Sequence, residues 1–216
     1  MVDQVTTGEQ WGRRYYRLLA IEEQFRQRKF SAALHDLSLL TEDEFRANPP
    51  EHGLYLSLAA DGCYWEGNYR QAIENALRGA SILADYPLNR RYGRVQLILA
   101  KSYTAIGDMK NAEIRARDAL SAYRRAGDMV GQVEALNNAA RVTYIRCDYA
   151  GAVAFLEETV GMLDDNPRKL SQSVGNLGTL RIHLGQWEQA DTDLNQALEI
   201  NQRLHYEASQ AVNLLS

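Results

Sequence analysis

Proline is scarce, four in 216 residues, and its scarcity leaves long stretches free to be helical. Cysteine is scarcer. Cys63 and Cys147 stand 84 residues apart with no CxxC pair, which excludes a disulfide scaffold and a paired-cysteine zinc site and favours two reduced thiols. The histidines His35, His52, His183 and His205 are scattered, with no HExxH and no cysteine at ligand spacing. No apolar run approaches the roughly 20 residues that span a bilayer. The amino-terminal MVDQVTTGEQWGRR lacks a basic stretch leading into an apolar one, so no secretory leader is read there and a cytoplasmic location is the expectation. An excess of positive charge is also missing. The 24 Lys and Arg face 28 Asp and Glu, a net −4, which argues against nucleic acid as a direct partner. Alternating Val, Ile and Thr runs are few, whereas Ala, Leu, Arg and Glu abound; the chain reads as all-α.

What is present is a repeat. One hexapeptide recurs: small or polar, polar, aromatic or Met, any two, Ala. It appears as GNYRQA at 67–72, GDMKNA at 107–112, CDYAGA at 147–152 and GQWEQA at 185–190, at spacings of 40, 40 and 38 residues. A fainter copy, RKFSAA at 28–33, lies 39 residues before the first. Seven positions ahead of each of the four clear copies sits a small residue, Ala60, Ala100, Ala140 or Gly178, within a helix-like stretch, and a second amphipathic stretch follows. Gly107 and Gly185 supply the backbone freedom that ends one helix, and Asp108 and Asp148 are expected to cap the next. RAGD at 125–128, DDNP at 164–167 and ADYPLN at 84–89 carry turn chemistry between copies. The unit is a helix–turn–helix hairpin.

This pattern resembles the tetratricopeptide repeat (TPR). Ala100, Tyr103, Gly107, Met109, Ala112 and Ala119 match that family's motif in one copy, and Gly178, Gly185, Trp187, Ala190 and Ala197 in another. The period departs from it, 38–40 here against roughly 34 for the norm, and is similar to the longer repeats of kinesin light chains and bacterial peptide-sensing regulators. HEAT and armadillo repeats have a period nearer this length but lack the Gly–aromatic–Ala turn. The resemblance implies an α-solenoid, a TPR-like superhelix forming a single domain over 1–216. Its hairpins fall at about 9–47, 51–85, 90–126, 129–165 and 168–204, with a partial sixth at 206–216. SQAVNLLS at 209–216 echoes SQSVGNLG at 171–178. Two readings fit that ending: a piece of a longer protein, or self-association through the partial repeat.

No catalytic constellation emerges. Glu22–Glu23 and Asp164–Asp165 are adjacent pairs, which on a helix point in different directions, and GNLG at 175–178 precedes no phosphate-loop pattern. The expectation is a non-enzymatic chain without cofactor or metal. Solenoids bind along the concave face, lined by the first helix of each hairpin. Helical spacing from the small residues places a stripe there: Leu54, Leu58, Asp61 and Trp65; Arg94, Ile98, Lys101 and Ala105; Glu134, Asn138, Arg141 and Ile145; Gln172, Asn176, Thr179 and His183. Tyr64, Asn137 and Tyr144 flank it. Asn138 and Asn176 hold equivalent positions. The resemblance implies that asparagines there meet the backbone of an extended peptide, for which a carboxamide supplies both donor and acceptor. Lys101 and Arg141 would attract acidic side chains or a terminal carboxylate, although the full carboxylate clamp of chaperone-binding repeats is absent. Register-fixing between helices is the competing role for the asparagines. The functional expectation is a protein- or peptide-binding scaffold, the alternative a sensor segment of a bacterial transcriptional regulator.

Overall fold

The computed structural model describes residues 2–85, 90–163 and 166–214, with side chains described between 12 and 205 of that span. Asp164–Asp165, most of the 84–89 turn and the side chains of 206–216 lie outside it. Every described regular element is helical. The elements are α1 (Val2–Arg26), α2 (Phe30–Ser38), a 3-10 turn (Glu42–Glu44), α3 (Pro49–Trp65), α4 (Tyr69–Leu83), α5 (Arg90–Ala105), α6 (Met109–Ala126), α7 (Met129–Ile145), α8 (Tyr149–Val160), α9 (Pro167–His183) and α10 (Trp187–Leu214). Within each of the two compact units they pack as consecutive helical hairpins, the all-α, TPR-like arrangement expected from the repeat.

The hexapeptide is the hairpin turn. Its first residue has left-handed backbone in all five copies: φ is +60° at Arg28, +82° at Gly67, +83° at Gly107, +61° at Cys147 and +69° at Gly185. Its second residue precedes the next helix. The Asp108 carboxylate accepts from the Asn111 N–H at 3.1 Å and the Asp148 carboxylate from the Gly151 N–H at 2.9 Å, satisfying amide donors that the first helical turn leaves unpaired. Its third residue opens the second helix, and its last is the buried Ala33, Ala72, Ala112, Ala152 or Ala190. The small residues of the first helices, Ala60, Ala100, Ala140 and Gly178, are buried too. A Cβ built on Gly178 would lie 2.9 Å from Leu194 Cγ and 3.2 Å from the Ala190 carbonyl oxygen, so α9 and α10 meet closer there than alanine permits without adjustment.

The chain divides into two compact units, Met1–Asp128 and Met129–Ser216. In the first, Leu18, Ile21, Phe25, Phe45, Leu54 and Leu58 form one core cluster, and Ala60, Ala76, Leu83, Val95, Ile98 and Leu99 another. In the second, Ala140, Ala152 and Leu156 join Leu177 and Leu180 of the following hairpin. Each such Leu contributes about 1.5–3 kcal/mol relative to exposure. The last helix differs from the expected hairpin boundary near 205, because α10 runs unbroken from Trp187 to Leu214. The linking residues EINQRLHYEAS contain neither Gly nor Pro, so nothing local terminates the helix.

Candidate functional site

In the first unit the stripe is largely self-satisfied. Leu54, Leu58 and Ile98 turn into the core rather than outward. Arg94 donates through Nε to Asp61 Oδ2 at 3.2 Å and through a terminal nitrogen to the same oxygen, while its other terminal nitrogen reaches Glu22 Oε1 at 3.4 Å. Burial disfavours the Arg94 charge, but Asp61 and Glu22 outweigh it and hold the guanidinium above its ordinary value. Arg94 and Asp61 therefore answer each other. Glu22, on α1 one hairpin before Asp61, completes the group and was not among the expected site residues. Its signal is its place one residue after Ile21, seven before the faint hexapeptide. Tyr64 packs on Tyr69 with ring centroids 5.7 Å apart, and Trp65, about half exposed, lies against Phe30 at 3.9 Å. Lys101 is half-buried and has no ion-pair partner among the described residues.

The second unit is built differently. Asn138 on α7 is 5% exposed, and its Oδ1 is buried with no hydrogen-bond partner among the described residues. Asn137 beside it is half-buried, and Arg141, one turn on, is exposed and has no ion-pair partner among the described residues. On α9 Asn176 and Thr179 are exposed, the Thr179 hydroxyl donating to the Gly175 carbonyl at 3.0 Å. At the turn end three rings meet. His183 stacks on Tyr149 at 4.7 Å and 14°, and Tyr144 sits 5.9 Å from His183 and 5.8 Å from Tyr149. Tyr144, which flanks the stripe, and His183, which lies on it, thus come together. Tyr149, which the sequence marks as a turn aromatic, is the platform between them. The Cys147 thiol beside it pushes the Tyr149 phenol up from its ordinary value. Among the described residues no three metal-ligating side chains gather, and no helix is long and apolar enough to cross a membrane.

The hairpin order and turn geometry can be set against known structures. The chain superimposes on the nearly identical TPR-like repeats of a kinesin light chain-type protein of Podosopora anserina with a TM-score of 0.71 at 16% identity, covering 90% of this chain and 97% of that one. The fold is that of TPR proteins. The chain is also similar to BtubC (BKLC) of P. vanneervenii, with a TM-score of 0.70 at 20% identity over 85% of this chain and 76% of that one. A Rap protein complexed with Competence and Sporulation Factor matches at 0.71 and 18% identity over 87% of this chain. The chain spans about half the length of that Rap protein, 53%. No protein-family model matches the chain, and neither does any curated protein. The TPR likeness therefore rests on the repeat and the backbone it folds into.

Proposed function

We propose that the chain is a non-enzymatic TPR scaffold that holds an extended protein or peptide segment against α7 and α9. The observation that carries this reading is Asn138. A buried carboxamide oxygen without a partner costs about 1–3 kcal/mol, and buried polar groups are rarely left so. Where the α7 and α9 side chains part to admit a peptide backbone, a peptide N–H would answer this oxygen and remove that cost. Asn176, at the equivalent position one hairpin on, is exposed and offers the same donor and acceptor to the next stretch of backbone. Arg141 stands uncompensated between them in the stripe and favours an acidic side chain or carboxylate on the ligand. Asn137, Thr179, Tyr144 and His183 border this strip. In the first unit Lys101 is the stripe's cation without an ion-pair partner among the described residues, and Asp61, Arg94, Tyr64 and Trp65 are engaged with their own neighbours.

The test is a peptide-array or pulldown screen of the wild type beside Asn138→Ala/Asn176→Ala. Loss of about tenfold or more in affinity, at unchanged helical circular dichroism, is the expected result, from two lost bonds of roughly 0.5–1.5 kcal/mol each. Equal binding by the two proteins sinks the assignment. A regulatory role is the second reading. It draws on the likeness to the Rap protein complexed with Competence and Sporulation Factor and to the quorum sensor NprR of B. thuringiensis. In it the segment held by α7 and α9 is a signal, read by parts of a longer protein.

A further inference from the structure

The repeat sets the first residue of one hairpin's second helix against the last residue of the next hairpin's first helix. Those pairs are Phe30 with Trp65, Tyr69 with Ala105 and Tyr149 with His183. Two of the three are ring on ring. The Phe30 and Trp65 centroids lie 3.9 Å apart at 32°, and those of Tyr149 and His183 lie 4.7 Å apart at 14°. The middle pair lacks its second ring. Ala105 ends at Cβ and is exposed, so solvent reaches the place that an indole or an imidazole holds in the other two. Tyr64 does not fill it. Tyr64 lies 5.7 Å from Tyr69 at 54°, and its counterpart Tyr144 lies 5.8 Å from Tyr149 at 49°. Tyr149 carries Tyr144 and His183 together, whereas the ring contact of Tyr69 among the described residues is with Tyr64 alone.

We propose that the Tyr69–Ala105 seat binds an aromatic side chain of a partner protein segment, with an acidic residue two positions from it. The ring is what the chain itself places in both equivalent seats, and ring pairs at these separations attract beyond the area they bury. The acid is set by Lys101. It stands one turn before Ala105, on the same face and about 6 Å back along the axis. It is half-buried and has no ion-pair partner among the described residues, so a carboxylate arriving there gains a charge-assisted bond. In an extended segment, residues two apart share a side and are separated by about 6–7 Å, which matches the Lys101–Ala105 step. Apolar surface continues around the seat. Ile106, the next residue, is 47% exposed, and Trp65, edge-on to Tyr64 at 5.6 Å, is 49% exposed. The seat lies within the first unit and does not depend on the reading of α7 and α9.

Titration of the isotope-labelled full chain with capped tripeptides, read by amide NMR, decides this. The probes are acetyl-Asp-Gly-Trp-amide, acetyl-Asp-Gly-Leu-amide and acetyl-Lys-Gly-Trp-amide at millimolar concentration. The first is expected to give saturable shifts at the Tyr69, Lys101 and Ala105 amides, and the other two to bind at least about threefold more weakly. Ala105→His, which builds into α5 the ring that α9 already carries, is expected to abolish the shifts at unchanged helical circular dichroism. Should that variant lose helix, Ala105→Gln, which fills the seat without a ring, decides in its place with the same expected loss. A wild type without saturable shifts overturns the proposal. So does equal binding of the Leu probe, or binding that survives the filled seat. Asn138→Ala/Asn176→Ala is expected to bind the Asp-Gly-Trp probe as the wild type does; a loss there would move the contact to α7 and α9 and overturn the seat.

Discussion

Arg94 and Arg141 bring the same charge to the same helical stripe, and their neighbours give them different work. Arg94 sits between Asp61 and Glu22 and ties three helices of the first unit. Arg141 has no such partner among the described residues and is exposed. Acidic side chains divide in the same way. Glu42 Oε1 takes His52 Nε2 at 2.9 Å, Arg46 Nε at 3.6 Å and an Arg78 terminal nitrogen. Burial alone would push this carboxyl up, but the His52 and Arg78 contacts outweigh it and hold it below its ordinary value of 4.5. A depressed folded value means that the carboxylate stabilises the fold above 4.5 and that this contribution disappears as pH falls through the folded value. Urea unfolding followed from pH 7 down to about 3 is therefore expected to show a steeper loss in the wild type than in Glu42→Gln. Parallel curves would mean that the Glu42 cluster contributes no pH-dependent stability.

At the scale of the element, the hairpin turn explains the hexapeptide. Three of its five first positions are glycine, and all five have positive φ. An L-residue there costs about 1–2 kcal/mol, whereas glycine adopts that backbone freely. Cys147 and Arg28 are thus the two strained copies. Cys147→Gly should stabilise the second unit by about 1 kcal/mol, read as a raised melting temperature with Gly107→Ala as the opposite control. An unchanged or lowered midpoint would show that the Cys147 thiol contributes more beside Tyr149 than its backbone costs. The element scale is also where the sequence was most legible. Period, turn glycines, the Asp108 and Asp148 caps and the buried alanines all follow from local chemistry that each copy repeats. The end of α10 was not legible, because the echo of SQSVGNLG in SQAVNLLS marks similarity of composition and not the presence of a helix break.

The molecule as a whole is acidic, with a net −4, so an anionic partner meets general repulsion and local attraction at Arg141 and Lys101. Binding of an acidic segment from the peptide screen is expected to weaken several-fold between about 50 and 500 mM salt, because the Debye length falls from roughly 14 Å to about 4 Å over that range. Arg141→Gln should flatten that dependence in fluorescence anisotropy. A salt response that survives the substitution would move the electrostatic contact away from α7. The division into two compact units follows Asp128, where Gly127 at φ +66° has just closed α6. The sequence marks that point as RAGD, one turn among several, and does not distinguish it from the others.

Local periodicity by itself determined that this chain is a series of helical hairpins, where each turn falls and which small residues lie between helices, because those features depend on residues a few positions apart. It also led to the expectation of one stripe with Asn138, Asn176 and His183 on it and Tyr144 at its flank. Tertiary structure decided which stripe residues remain free. Asp61 and Arg94 are spent on each other, Leu54, Leu58 and Ile98 are core, and Asn138 is buried with an oxygen that no described residue answers. Partners of that kind come from helices 33 to 72 residues away, and whether a charge or an amide is satisfied depends on those distant neighbours, not on the spacing that put it on its helix.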